Sequence, residues 1–119
     1  MDAFRTFKGI PSLRQVDGDF YIIGNPALIN LKGAESLETV GGSVYVERNR
    51  LLLSLEGFEG LVEVGGDYVF KRNDQLESLS HLVNLETIGG HLEIDDNNNM
   101  QQIGTLLKLK YVVIHFFLL

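Results

Sequence analysis

Residues 66–89 read GDYVFKRNDQLESLSHLVNLETIG, and the architecture follows from this segment because its pattern recurs at a constant interval along the chain. Residues 42–65 (GSVYVERNRLLLSLEGFEGLVEVG) and 18–41 (GDFYIIGNPALINLKGAESLETVG) precede it in the same register. Residues 90–113 (GHLEIDDNNNMQQIGTLLKLKYVV) follow it as a degenerate copy. A fixed period of this length is typical of repeat architectures, in which similar units stack on one another.

The chain of 119 residues is predicted to form one solenoid domain, 1–119. Residues 1–17 match part of a repeat, and residues 114–119 are predicted to form a terminal strand. Hydrophobic residues make up 45% of the chain, which is enough for a core. The net charge of −6 argues against nucleic acid as a partner, because phosphate binding favours a basic surface. No apolar run approaches the ~20 residues of a membrane helix, so no membrane span is expected.

Each unit begins with alternating apolar residues, which predicts a short strand with one face buried. The inward pairs are Phe20/Ile22, Val44/Val46, Tyr68/Phe70 and Leu92/Ile94. Apolar residues spaced by three follow, often interrupted by glycine, so extended pieces or short 3₁₀ turns are favoured over long helices. Each arm then returns the chain to a strand parallel to the last, and such crossovers are right-handed in nearly all cases. The sequence therefore predicts a right-handed solenoid with one main parallel sheet, leucine layers inside and little α-helix.

Glycine pairs and asparagines mark the corners of each unit. The second glycines of the pairs are Gly42, Gly66 and Gly90. A corner with positive φ, or coils too close for a side chain, would require glycine there. The asparagines are Asn25, Asn49, Asn73 and Asn97. An asparagine at the same corner of every coil can bond the backbone of the neighbouring coil, so we predict a structural ladder rather than a polar binding row.

The repeat resembles that of the receptor L domain, a relative of leucine-rich repeats found in the ectodomains of insulin- and epidermal-growth-factor-type receptors. Residues 42–49 (GSVYVERN) and 55–61 (LEGFEGL) carry the resemblance, which covers nearly the whole chain. Animal receptor L domains are bracketed by cysteines, whereas this chain has none. The resemblance implies a non-enzymatic module that binds a partner through its sheet face or serves as a surface scaffold. It also implies a secreted or cell-surface location, while the lack of cysteine and of a signal-peptide-like start leaves the cytoplasm open.

Residues between the inward positions are predicted to point outward from the sheet. One outward column holds Tyr21, Tyr45, Val69, Glu93 and Phe117. We expect its exposed apolar part to bind a protein or carbohydrate ligand, because tyrosines are good anchors at interfaces. The alternative is that tyrosines simply suit strands.

Two further outward columns carry charges. One places Lys71 between Glu47 and Asp95, which predicts an alternating ladder of charges. The other places Arg48 beside Arg72 and forms a basic spot. This spot either meets an acidic group of a ligand or consists of solvated arginines paired with local carboxylates.

No catalytic residues, cofactor or metal site are predicted. His91 and His115 occupy equivalent positions of successive units and are expected to stack beside Asp67, but two histidines and a distant carboxylate are weak support for a metal. No nucleophile stands at a defined spacing from a histidine, and the glycine pairs are corners rather than phosphate cradles. An enzyme that acts on polysaccharides is therefore the least favoured alternative.

The end of the chain is predicted to form a fifth strand from His115 that leaves an open, apolar edge. Phe116, Phe117 and Leu119 are the candidate residues for self-association, as a homodimer through a solenoid end. A structural protein that assembles through open ends is accordingly the second functional hypothesis. The competing explanations of the edge are that the chain is a fragment or that the tail folds back as a cap.

Overall fold

The computed structural model describes residues 12–100, 103, 106 and 108–117, and it shows a parallel β-solenoid of about three turns without a helix in those ranges. Most of the partial repeat predicted at 1–17 therefore lies outside the described residues. The strands are β1 (Gln15–Val16), β2 (Phe20–Ile23), β3 (Thr39–Val40), β4 (Val44–Glu47), β5 (Glu63–Val64), β6 (Tyr68–Lys71), β7 (Thr87–Asp95) and β8 (Tyr111–Phe117).

The strands pair in parallel. Each residue faces its equivalent in the next repeat in every pair except the second half of the pair β7–β8. β2, β4, β6 and the second half of β7 form the main sheet, in which Phe20 faces Val44 and Tyr68 faces Leu92. β1, β3, β5 and the first half of β7 form a narrower run of two-residue pairs. Because β7 continues through the corner, it joins the two runs into one sheet. The parallel sheet and the repeat length predicted from the sequence are confirmed.

The glycine corners bring the backbones of neighbouring coils into contact. Gly66 N donates to Gly42 O at 2.8 Å, and Gly90 N donates to Gly66 O at 2.8 Å. A Cβ on Gly42 would lie 2.8 Å from the carbonyl carbon of Gly18, closer than real Cβ atoms come to backbone. None of these corner glycines has a positive φ. Of the two reasons that the sequence left open, close approach between coils is therefore the one that requires glycine.

A buried asparagine ladder holds the bend that follows each main strand. Asn49 Nδ2 donates to Asn73 Oδ1 at 3.1 Å and to Ile22 O at 2.8 Å. Asn73 Nδ2 donates to Asn97 Oδ1 at 3.0 Å and to Val46 O at 2.8 Å. Asn49 and Asn73 are completely buried, so these bonds satisfy amides that have no access to water. The ladder predicted from the sequence is confirmed.

The apolar residues spaced by three belong to consecutive turns rather than to a helix. Leu52 N donates to Asn49 O at 3.1 Å, and Phe58 N donates to Leu55 O at 3.0 Å. Leu61 N donates to Phe58 O at 3.2 Å. A bond from the fourth residue of a turn back to the first closes each turn, so the apolar residues that flank it recur every three positions. Both flanking side chains point inward and are fully buried, and together they build the leucine layers of the core.

The last strand departs from the repeat. Thr87 faces Tyr111, its equivalent one full repeat later, but His91 faces Val113, two positions short of a full repeat. The fourth unit carries Val113 and Ile114 where earlier coils carry a glycine pair. A Cβ at Gly89 or Gly90 would collide with the preceding coil, so side chains at this corner are incompatible with the same geometry. The corner is bypassed, and β8 shifts by two residues along β7.

The position and extent of β8 correct three expectations for the end of the chain. His115 lies beside Glu93 rather than above His91, so the predicted pair of stacked histidines is wrong. Phe117 faces Asp95 and therefore does not extend the Glu93 column, while Phe116 faces Ile94. The strand begins at Tyr111, earlier than the predicted terminal strand, and Leu119 lies outside the described residues.

Candidate binding surface on the main sheet

The outer face of β2 and β4 carries two stacked tyrosines. Tyr21 lies in register with Tyr45, with ring centroids 5.0 Å apart and ring planes 10° from parallel. Tyr21 is 58% exposed, and its hydroxyl donates to Asp19 Oδ2 at 3.2 Å. This hydrogen bond and the negative charge of Asp19 raise the pKa of the Tyr21 hydroxyl, which therefore stays a neutral donor at physiological pH. Ile23, 43% exposed, extends the apolar surface along β2.

Val69 continues the tyrosine column in register but does not share its exposure. It faces Tyr45 on one side and Glu93 on the other, and only 4% of it is exposed. The expectation of an exposed apolar row through Val69 is therefore wrong. A short aliphatic side chain between two longer ones is covered by them, and the sequence alternation alone does not reveal this. On the outer face of β2, β4 and β6, the apolar surface consists of Tyr21, Ile23 and Tyr45.

A polar network lies beside the tyrosines on β6 and β7. Glu93 contacts Lys71 Nζ at 3.0 Å and His91 Nε2 at 3.2 Å, and His91 Nδ1 lies 3.1 Å from Asp67 Oδ1. Burial alone would raise the pKa of Glu93, but the hydrogen bonds and charges of Lys71 and His91 outweigh it and hold that pKa below its usual value. The hydrogen bond to Glu93 raises the pKa of Lys71, although partial burial opposes it. Both groups are therefore charged at neutral pH.

The predicted column of alternating charges has the expected register, with Lys71 between Glu47 and Asp95. The ion pair that Lys71 forms is nevertheless with Glu93, which lies two positions before Asp95 on the neighbouring strand. Glu47 and Asp95 act on Lys71 only through longer-range attraction, which adds to the rise of its pKa. The direct pair thus runs diagonally across the sheet rather than along the column.

A second ladder, which the sequence did not indicate, lies where the chain enters each main strand. Ser43 N donates to Asp19 Oδ1 at 2.7 Å, and Asp67 N donates to Ser43 Oγ at 2.9 Å. His91 N donates to Asp67 Oδ1 at 2.9 Å. Each bond joins the backbone of one coil to a side chain of the coil before it. The only signal in the sequence is that aspartate and serine can both accept a hydrogen bond.

The residue after each main strand adopts a left-handed backbone. The four residues and their φ angles are Gly24 (67°), Arg48 (56°), Arg72 (56°) and Asp96 (55°). A side chain at such a φ costs about 1–2 kcal/mol, and only glycine avoids the cost. The first coil has glycine at this position, whereas Arg48 and Arg72 carry the strain.

The two strained arginines line an open groove at the ends of β4 and β6. Its lining residues are Arg48, Arg50, Arg72, Asp74, Asp96 and Asn98, and its volume is 540 Å³. Arg72 Nε lies 4.0 Å from Asp96 Oδ2. The side chains of Arg48 and Arg50 form no hydrogen bond or ion pair with any residue that the structure describes. Among the described residues, a local carboxylate therefore pairs with the side chain of Arg72 but not with those of Arg48 and Arg50.

Within the described ranges, no three His, Cys, Asp or Glu side chains are grouped so that they could hold a metal ion. In the same part of the chain, no helix has the length and apolarity needed to cross a membrane. Fold and surface together define a parallel β-solenoid with an internal asparagine ladder, a stacked tyrosine pair on the outer sheet face and an arginine-lined groove. No protein-family model, curated protein or solved structure matches the chain. Its function therefore has to be inferred from the chemistry of its surfaces.

Proposed function

We propose that this chain is a non-enzymatic binding module of the receptor L domain type, which recognises a protein partner through the outer face of its main sheet. The observation that carries the proposal is the stacked pair Tyr21 and Tyr45, which two neighbouring strands hold in place. Tyrosines are frequent anchors at protein interfaces because they offer a large, stiff contact area at low entropic cost. A secreted or cell-surface setting is part of the proposal and rests on the resemblance of the repeats.

The scaffold supports this function because it fixes the tyrosines before any partner arrives. Each of the two strands is bonded to its neighbour in the sheet, and the asparagine ladder holds the strand ends from inside. A rigid surface loses little conformational entropy on association, so more of the contact energy appears as affinity.

The polar groups around the tyrosines match the rim of a protein interface. Asp19 accepts the hydrogen bond of Tyr21, and the network of Lys71, Glu93 and His91 begins one strand beyond Tyr45. Interfaces of this kind combine a small apolar centre with polar residues that exclude water around it. The centre here is small, so the proposed complex is of the transient type rather than an obligate one.

The ring geometry favours a protein over a carbohydrate. Sugars stack on the open faces of aromatic rings, but Tyr21 and Tyr45 cover one face of each other at a centroid distance of 5.0 Å. A sugar chain lying flat on the sheet would therefore meet the edges of the rings. Ring edges and hydroxyls suit the mixed apolar and polar groups of a protein surface.

Site-specific photo-crosslinking tests the proposal. A photoreactive phenylalanine at position 21 or 45 is expected to capture a defined protein from the native source, and the same label at the exposed Leu53 on a connecting arm is not. The captured partner, once purified, is then titrated against the wild type and against a double variant, Tyr21→Ser with Tyr45→Ser. We expect the double variant to bind at least about 30-fold more weakly, since truncating an anchor costs about 2 kcal/mol or more.

Leu53→Ser is the matched control because it removes an apolar side chain of similar exposure away from the sheet face. It should bind the partner as the wild type does. Unchanged affinity of the double tyrosine variant would show that the sheet face is not the binding surface. Retention of the chain on polysaccharide gels that is abolished by the double variant would instead assign a carbohydrate ligand.

A second candidate function is assembly through a solenoid end. The observation that favours it is β8, a strand of seven residues whose only partner among the described strands is β7. Its free edge would offer unpaired backbone groups to a second copy of the chain. Light scattering over a range of concentrations tests this candidate with the variant Phe116→Asp, Phe117→Asp. A dimer that this variant dissociates supports assembly, and a wild type that stays monomeric at high concentration removes it.

A further inference from the structure

We propose that the groove formed by Arg48, Arg50, Arg72, Asp74, Asp96 and Asn98 binds a sugar acid, that is, a carboxylate surrounded by hydroxyl groups. The groove lies where β4 and β6 end, whereas the tyrosine pair lies within β2 and β4. The proposal is thus independent of protein binding by the sheet face.

Backbone strain is the first observation that points to a ligand. Arg48 and Arg72 both have a φ of 56°. The first coil has Gly24 at the equivalent position, so glycine can form this bend without strain. Nothing in the ladder or the core uses their side chains, since both residues are exposed. The bend imposes this backbone in every coil, and non-glycine residues kept in such a conformation cluster at ligand clamps and active sites.

The unpaired guanidinium groups are the second observation. Arg48 and Arg50 project into the groove without a hydrogen bond or ion pair to any described residue. Arg50 has Asp74 at the equivalent position of the next coil, yet no ion pair joins them within the described part of the chain. Guanidinium groups present paired N–H donors whose spacing matches the two oxygens of a carboxylate. The groove therefore offers unused donors for an oxyanion.

The charge of the groove selects the class of oxyanion. Arg48, Arg50 and Arg72 face the carboxylates Asp74 and Asp96, so the lining carries one net positive charge. A carboxylate with a single negative charge balances it. A phosphate dianion would leave an excess of negative charge beside two aspartates, and a neutral zwitterion would leave the positive charge uncompensated.

The acceptors in the groove indicate the rest of the ligand. Asp74 and Asn98 provide carboxylate and amide oxygens beside the arginines. Ionised aspartate only accepts hydrogen bonds, so a ligand that meets it must bring donors. Hydroxyl groups next to the carboxylate supply such donors without adding charge. The volume of 540 Å³ lies within the range of sites for small molecules.

A titration of ¹⁵N-labelled protein with sodium glucuronate, followed by two-dimensional NMR, tests the proposal. We expect saturable shifts of the backbone amides of Arg48, Arg50 and Asp74, and no shifts around Tyr21. Arg48→Gly and Arg50→Ala should each weaken binding by about tenfold, the effect of losing one charge-assisted contact. Arg14→Ala is the control, because it removes an equal charge from a residue that lines a different groove.

Arg48→Gly separates a binding role from a structural one. It removes the side chain while allowing the left-handed backbone, so the melting temperature should stay the same or rise while affinity falls. Three probes define the ligand class: acetate, which lacks hydroxyl groups, glycine and inorganic phosphate should all bind more weakly than glucuronate. Absence of saturable shifts with glucuronate, equal affinity in the Arg48→Gly variant, or tighter binding of acetate, glycine or phosphate would each overturn the proposal.

Discussion

The side-chain oxygen of Asn73 accepts two hydrogen bonds from Asn49, one from its backbone nitrogen at 3.2 Å and one from its side-chain nitrogen at 3.1 Å. Asn73 Nδ2 in turn donates to Val46 O at 2.8 Å. One buried amide thus serves three groups of the preceding coil, in a place that water does not reach. The stability of the stack should be concentrated at such points rather than spread evenly over the surface.

Replacing Asn73 by alanine is expected to cost about 2–4 kcal/mol in free energy of unfolding, because the amide of Asn49 and the carbonyl of Val46 lose their partners inside the core. Urea denaturation measures the loss. Asn98→Ala, an exposed asparagine in the following coil, should stay within about 0.5 kcal/mol of the wild type. Equal effects of the two substitutions would mean that the ladder does not stabilise the fold.

Gly42→Ala is expected to destabilise the protein by about 1–3 kcal/mol, because the new Cβ would press against the backbone of Gly18. Gly18→Ala is the matched control at the equivalent corner of the preceding coil, where no atom of the residues described lies within 4 Å of the added Cβ. That substitution should be neutral or stabilising by up to about 1 kcal/mol, through the reduced freedom of the unfolded chain. Thermal unfolding of the two variants side by side gives the comparison, and similar melting temperatures would contradict it.

Arg48→Gly should stabilise the protein by up to about 1 kcal/mol, since glycine adopts a φ of 56° without strain. Arg50→Gly, two residues further on, has no positive φ to relieve and should lose about 0.5–1 kcal/mol. Opposite signs for two neighbouring arginines are the expected result in chemical denaturation. A loss of stability in Arg48→Gly would show that the arginine side chain holds the bend.

Tyr68→Phe should stabilise the protein by about 1 kcal/mol, because the buried hydroxyl of Tyr68 has no hydrogen-bond partner among the described residues. Burial also raises the pKa of this hydroxyl, so the wild type loses stability as the pH rises above 10.0, where the unfolded chain ionises. The phenylalanine variant should lack that part of the alkaline loss. Tyr21→Phe, which removes an exposed hydroxyl, should leave both the stability and its alkaline loss close to those of the wild type.

The Lys71–Glu93 pair should make stability depend on pH in the acid range. The pKa of Glu93 is lowered in the folded protein, so its contribution is present above the unfolded value of 4.5 and is lost as the pH falls through the lower folded value. The raised pKa of Lys71 affects stability only above 10.5. Because Lys71 is 38% exposed, we expect the pair to contribute no more than about 1 kcal/mol.

Glu93→Gln tests this dependence. Urea unfolding at neutral pH and at several values below 4.5 should show a shallower acid loss in the variant than in the wild type. Glu63→Gln serves as the control, because Glu63 is exposed and forms no ion pair with the residues described. Parallel acid profiles for wild type and Glu93→Gln would exclude a role for the pair.

Features that repeat in residue type could be predicted from the sequence. Asn49 and Asn73 recur as asparagine because a short amide both donates and accepts at the same bend of successive coils, and the leucine layers recur because each coil repeats the same turns. The second ladder, at the start of each main strand, was not predicted. Its residues Asp19, Ser43 and Asp67 can all accept a hydrogen bond, but they are not the same residue type. A search for repeated residue types therefore finds the asparagine ladder and misses the second ladder.

The packing between neighbouring coils could not be predicted from the sequence either. The exposure of Val69 depends on the length of its neighbours in other strands, and the strained φ of Arg48 is hinted at only by Gly24 one coil earlier. The shift of β8 follows from the absent glycine pair at Val113, but the absence alone does not say how the chain avoids the corner. The arginine groove forms at the bend that holds Arg48 and Arg72, so these two residues could be named from the sequence, whereas the unpaired state of the Arg48 side chain among the described residues could not.

The two ladders run in opposite directions along the stack. Asn73 accepts from the coil before it, whereas Asp67 accepts from the coil after it. Each full coil therefore has two different sides, and the hydrogen-bonding groups on one side complement those on the other side of the neighbouring coil. A duplicate of residues 42–65 inserted after Gly65 would meet complementary partners on both sides and lengthen the molecule by one strand spacing, ~4.8 Å. An insert whose length is not a multiple of 24 residues would put both sides out of phase, so the stack can grow only by whole units.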